Sequence, residues 1–190
     1  MKEELPMSDD DTHLVQAKEA LHKGEVEKAI SILLDAMNYE SKKAAAAYSL
    51  GIVYDSNTDC HDDDLAVSYY SIAESGGIEM ATYRIAGLKQ RIGDNIESLE
   101  LFKKISTRNP SAAYWCYRLI QKNEPTDPDA EIFLKSAASQ GHILAKRDIL
   151  MEKLKGRRGA AQMVIGAFGM IRLFRETMAA YAARDELLYQ

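Results

Sequence analysis

Thiol, imidazole and carboxylate side chains crowd together in one place in this sequence, the run Asp59-Cys60-His61-Asp62-Asp63-Asp64. Each of these groups can ligate a divalent cation, and an exposed thiol can act as a nucleophile. Consecutive residues seldom converge on one ion unless a second segment adds ligands, and neighbouring carboxylates disfavour a thiolate at Cys60. The run therefore reads as a solvated acidic loop whose end N-caps a helix beginning near Leu65. No metal and no cofactor is expected; a metal-dependent activity carried by this loop is the enzymatic alternative. The histidines, His13, His22, His61 and His142, fall at unrelated places. With no phosphate loop, paired metal motif or nucleophile–base–orienter set, the chain is expected not to be an enzyme.

The residues suited to recognition are different ones. Tyr48, Tyr83 and Trp115 recur near the starts of successive apolar segments, and Arg84 and Arg118 follow in two of them. Aromatic and arginine side chains dominate binding hot spots, so these five are candidates for a concave surface that takes up another protein as a peptide or helix. Repeated aromatics also serve packing between repeats.

Helices must position these residues. Apolar side chains at helical spacing run from Leu14 to Leu21, ending at Gly24 where a left-handed C-cap fits. Val26, Ala29, Ile30, Leu33, Leu34 and Ala36 form a second stripe that would face the first across an antiparallel hairpin. The pattern then recurs: helices are expected over 44–54 and 65–75, a unit closes over 98–105, another opens at Ala113, and a further second helix starts at Ala130. Ala46 to Ala81 spans 35 positions, and Ala81 to Ala113 and Ala113 to Ala145 span 32 each. A period in this range with paired amphipathic helices marks an α-solenoid, because one hairpin cannot bury both of its faces. Ala46, Gly51, Ala66, Ala73, Ala81, Ala113, Ala130, Ala137 and Ala145 would let helix axes approach closely.

Ala46-x-Tyr48-x-Leu50-Gly51-x-x-Tyr54, then Ala66-x-x-Tyr69-Tyr70-x-x-Ala73, then Gly77-x-x-x-Ala81 resembles the Sel-1-like repeat. The stretch from Ala130 through Phe133, Leu134, Ala137, Ala138 and Gly141 to Ala145 resembles the second half of the same repeat. Leu14 to Ala36 is more similar to an ordinary tetratricopeptide hairpin. The resemblance spans roughly residues 12–150, and departs from the family in the loop 55–64, which lacks the usual glycines, and in a degenerate third unit. It implies an all-α solenoid and non-catalytic adaptor or scaffold work on proteins, often at membranes. An expected alternative is a peripheral membrane scaffold in bacterial envelope or surface-polysaccharide assembly.

The remaining observations bound the setting. Apolar residues at 46 % and charged residues at 28 % suit a folded protein. The net charge of −5 divides unevenly: residues 1–80 carry 6 Lys+Arg against 17 Asp+Glu, and residues 81–190 carry 18 against 12. No arginine-rich arm, RNA-binding aromatic signature or zinc-finger spacing points to nucleic acid. The N-terminus lacks a signal-like apolar core, and Cys60 and Cys116 lack a disulfide or zinc spacing, so free thiols in the cytoplasm are expected.

The organisation expected is an acidic tail over 1–11, a repeat array over 12–152 and a basic, apolar helical segment over 153–190. In the last, Arg157 and Arg158 precede Met163, Val164, Phe168, Ile171 and Phe174, with Ala160 to Ile171 apolar on nearly every side. Such a segment must be covered by the array, by a partner or by lipid. It is short for a membrane span, so it is expected to cap the array or to attach it, to a partner or to the inner face of a membrane. A more mixed helix is expected beyond Arg175.

Overall fold

A computed structural model describes residues 9–155 and 160–188. Among them the chain forms helices and no strand: α1 (Asp9–His22), α2 (Val26–Ala36), α3 (Glu40–Ser56), α4 (Asp63–Ser75), α5 (Glu79–Arg91), α6 (Asn95–Ile105), α7 (Pro110–Asn123), α8 (Pro128–Ser139), α9 (Ile143–Leu154) and α10 (Ala160–Leu188). The all-α repeat architecture read from the periodicity is the one observed.

Local chemistry sets the helix ends. The Asp62 carboxylate accepts from the Leu65 N–H at 2.9 Å, so the acidic loop does end in an N-cap. The Asn109 side chain accepts from the N–H groups of Ser111 and Ala112 at 3.0 and 3.1 Å, and Asp127 accepts from Asp129 N–H at 2.8 Å. Pro110 and Pro128 follow those caps in the first helical turn, where a missing N–H costs nothing. Gly24 ends the chain's first helical run with φ of 75°, and the Glu25 N–H reaches back to the Ala20 carbonyl at 2.9 Å. Gly141 repeats the device after α8, with φ of 99° and a His142 N–H to Ala137 carbonyl bond of 3.0 Å.

The chain parts into two compact units, one up to Leu101 and one from Phe102, the division falling within α6. In the first, α1 packs on α2, α2 on α3, α3 on α4 and α4 on α5. Its core holds Leu33, Leu50 and Tyr70 among the alanines 29, 36, 46, 47, 66, 73 and 81. Tyr70 fits because α3 carries Gly51 opposite it: a Cβ there would lie 2.5 Å from two ring carbons. The Ser98 hydroxyl, fully buried, ties α6 to α5 by donating to the Ala86 carbonyl at 2.9 Å.

In the second unit α7 packs on α8, α8 on α9 and α9 on α10. Phe102, Cys116, Leu119, Leu134 and Leu173 fill its core around Ala112, Ala113, Ala137 and Ala145. All nine small residues singled out by their spacing are buried.

The C-terminal segment differs from its expected division. It is one continuous helix of 29 residues, with no break in the backbone at the change of composition near Arg175. Nothing at that point removes a backbone N–H or requires a left-handed residue, so the hydrogen-bonded ladder runs on.

Candidate functional site

In the first unit the polar groups gather on Asp55, at the C-terminal end of α3. Its side chain, only 11 % exposed, accepts from the Tyr70 hydroxyl at 3.3 Å and from Arg91 Nη2 at 3.0 Å, and lies 3.9 Å from Arg84 Nη1. Arg91 also bridges to Asp63 at the start of α4. One carboxylate thus ties α3 to both α4 and α5, and two arginines balance two acids. Burial, followed by the Asp55 charge, pushes the Tyr70 hydroxyl far up from its ordinary range.

Two of the predicted recognition residues meet here. Tyr48 is half-buried, its ring 5.7 Å from that of Tyr70. Arg84 projects from α5 toward it: burial alone would lower the arginine's pKa, but the Tyr48 hydroxyl, Tyr70 and Asp55 together raise it. The Arg84 Nε is buried and has no hydrogen-bond partner among the described residues. Tyr83, beside Arg84 in α5, is half-buried.

The second unit holds Trp115 and Arg118. Trp115 is half-buried and lies nearly parallel to the fully buried Phe102 ring, with centroids 6.2 Å apart, so at least one of its faces packs between α6 and α7. Arg118 is exposed, and a hydrogen bond with Tyr114 raises its pKa. The Tyr114 hydroxyl donates to Asp148 of α9 at 2.8 Å, Arg147 pairs with the same carboxylate at 2.8 Å, and the His142 ring stacks on Tyr114 at 4.5 Å. Burial lowers the His142 pKa, with Asp148 opposing it.

The acidic loop is built differently from a thiol site. Cys60 is half-buried with Sγ 3.9 Å from the Val53 carbonyl oxygen, and its pKa is raised by burial first and by Asp59 and Glu27 next. His61 spends Nδ1 on the Asp55 carbonyl oxygen at 3.1 Å and Nε2 on Asp63 at 3.2 Å. These contacts fold the loop onto the end of α3 and the start of α4. Cys116 is fully buried, and burial pushes its thiol up to about 12. Among the described residues no three His, Cys, Asp or Glu side chains converge as metal ligands.

Arg157 and Arg158, which precede α10 in the sequence, lie outside the described residues. Helix α10 packs on α9 through Gly166, Gly169 and Leu173: a Cβ at Gly169 would meet Leu150 at 2.4 Å, and one at Gly166 would meet Leu154 at 3.0 Å. Met163, Val164, Phe168, Ile171 and Phe174 are all exposed. Among the described residues no helix is long and apolar enough to cross a membrane.

No family model matches the chain, and no curated protein matches it by sequence. Solved structures do. A Sel1 repeat protein from Oxalobacter formigenes is 18 % identical with a TM-score of 0.60, over 81 % of this chain and 69 % of that one. A protective antigen of uropathogenic Escherichia coli strains displaying an SLR fold is 16 % identical with a TM-score of 0.63, over 95 % of this chain and 44 % of that one. This chain therefore spans less than half the length of the antigen. The MamA RS-1 ArsTM double mutant is 14 % identical with a TM-score of 0.62, over 91 % and 98 %.

The chain has the Sel1-like repeat fold.

Within a Sel1-like frame, Asp148, which the sequence patterns had not singled out, falls at the same repeat position as Arg84. Aligned on Ala46, Ala81, Ala113 and Ala145, the place three residues after each alanine holds Ser49, Arg84, Cys116 and Asp148. The two charged residues at that place, Arg84 and Asp148, are the ones that reach a tyrosine of the preceding first helix, Tyr48 and Tyr114. Charge at a position that is elsewhere small and neutral is the signal that was present. Asp55 and Arg91 carried no such mark. Nor did Lys42, which is buried with Nζ 3.2 Å from His13 Nδ1 and 4.8 Å above the Tyr39 ring, while His13 Nε2 lies 3.3 Å from Asp35.

Proposed function

We propose that the chain is a non-catalytic protein-interaction adaptor whose first unit takes up a peptide or helix segment along α3 and α5. The observation that carries this reading is the Arg84 guanidinium, its side chain 42 % exposed, set beside half-exposed Tyr48. The open N–H groups of that guanidinium can donate to an incoming carboxylate or carbonyl oxygen while the tyrosine ring supplies apolar contact. Repeat folds use the same geometry generally: rigid stacked hairpins display side chains from successive first helices on one surface. The partner's chemistry is therefore an acceptor-bearing segment, a side-chain or C-terminal carboxylate flanked by apolar residues.

Selection of random peptides on the full chain, followed by fluorescence anisotropy with the enriched sequences, tests this. The enriched peptides should carry an acidic residue or a free carboxyl terminus. Tyr48→Ala and Arg84→Gln should each weaken their binding about tenfold, since a hydrogen bond to a charged group contributes about 1.5–3 kcal/mol. Thermal melts check that the variants stay folded. Enriched peptides that bind both folded variants as well as the parent chain would place recognition elsewhere and defeat the proposal.

A further inference from the structure

The exposed side of α10 is a second, separate surface, and its pattern points to one occupant. Val164, Phe168, Ile171, Phe174 and Met178 lie 52–69 % exposed, at spacings of 4, 3, 3 and 4 residues. At 100° per residue all five fall within one third of the helix circumference, on the side away from Gly166, Gly169 and Leu173. The series is symmetric about Ile171: each residue a given number of places before it has an apolar counterpart the same number after it. A stripe of that kind is its own complement when two helices run antiparallel.

We propose that this face is the interface of a symmetric dimer, formed by a second copy of the chain packing antiparallel across a two-fold axis at Ile171. The axis sets Ile171 against its twin, Phe168 against Phe174 of the other copy, and Val164 against Met178. Arg175, exposed on the same side, falls opposite exposed Ala167, whose small side chain leaves room for the arginine stem. An interface in which the same patch serves both copies closes on itself, as two-fold dimers require. With Met163 the stripe leaves roughly 600 Å² of apolar surface open, at the upper end of the ~300–600 Å² of the largest patch on a typical monomer and somewhat below the ~800 Å² per partner of a standard interface.

Lipid fits the same face less well. A helix lying on an anionic bilayer keeps its Lys and Arg along the polar flank, whereas here Arg172 is tied to Glu176 at 2.8 Å and exposed Arg175 stands inside the apolar stripe itself. The two-sided symmetry also has no use against a structureless surface. Self-pairing is independent of the groove reading, since it involves no residue of the first unit.

Light scattering and sedimentation equilibrium on the full chain, across micromolar to submillimolar concentrations, test the proposal. The chain should have twice its monomer mass. Ile171→Glu sets two carboxylates on the axis and should raise the dimer dissociation constant at least about a hundredfold, because like charges in contact cost several kcal/mol. Helix content by circular dichroism should not change, since Ile171 is exposed. F168E and F174K should each weaken the dimer, and the F168E/F174K double variant should regain it, because in the antiparallel register the two substitutions meet twice. Three results overturn the proposal: a monomer throughout the range, a dimer indifferent to Ile171→Glu, or a double variant no stronger than its parents. Co-sedimentation of a monomeric chain with phosphatidylserine vesicles, lost on Ile171→Glu, would assign the face to lipid and equally overturn it.

Discussion

Replacing Gly51 by alanine sets two effects of opposite sign against each other. Alanine is favoured over glycine inside a helix by about 1 kcal/mol, so on propensity alone the change stabilises α3. The added Cβ, however, falls 2.5 Å from Cδ1 and Cε1 of Tyr70, far inside ordinary carbon contact distance. That ring is fully buried, with its hydroxyl donated to Asp55 and its edge near Tyr48, so it has nowhere to retreat. Overpacking of a rigid core costs about 1–3 kcal/mol, and the depth of this overlap puts the cost at the upper end. The expected net loss is about 2 kcal/mol. Gly87, in the middle of α5 with nothing within 4 Å of an added Cβ, is the control, and Gly87→Ala should gain up to about 1 kcal/mol. Urea unfolding followed by circular dichroism measures both. Tyr70→Leu supplies the decisive comparison: with the ring gone, Gly51→Ala should cost less than in the parent, a coupling expected for residues in direct contact. Equal stability changes for the two alanine variants, or no coupling to Tyr70→Leu, would refute the reasoning.

Other consequences follow from single groups. Asp62→Ala removes the N-cap of α4 and should cost about 1 kcal/mol in the same unfolding experiment, while Asp62→Asn, which keeps an acceptor for the Leu65 N–H, should cost little; equal losses would mean that charge and not capping matters. Burial raises the Cys116 thiol from 9.0 to about 12. Below pH 9 both folded and unfolded chains keep the proton, and as pH rises from about 9 to 12 the unfolded chain ionises first and gains stability relative to the fold. The urea midpoint should therefore fall over that window more steeply for the parent than for Cys116→Ala; parallel profiles would show that this thiol is not held neutral by the fold.

The readings that succeeded from sequence were local or repeated. The N-cap at Asp62, the C-cap at Gly24 and the alanine ladder follow from residues close in the chain, and a period near 32 to 35 positions repeats each clue several times. The candidate recognition residues were legible in part. Tyr48 and Arg84 come together in the fold, Trp115 has a packing partner in Phe102, and Arg118 stands in solvent beside Tyr114. One aromatic pattern thus covers different surroundings, because the pattern records helix register and says nothing of what the facing helix brings.

Helix identity and hairpin order were therefore settled by the amino-acid sequence alone, through periodicity, turn chemistry and the small size of alanine. Tertiary structure decided the rest. It made Asp55 a hub by bringing Arg91 to it across 36 positions, and it buried Lys42 against His13. It also chose which side of α10 faces α9, through two glycines that admit Leu150 and Leu154, and left Phe168, Ile171 and Phe174 outside. Charge pairs between helices and the choice of which face meets which neighbour depend on residues far apart in the chain, so no local pattern encodes them.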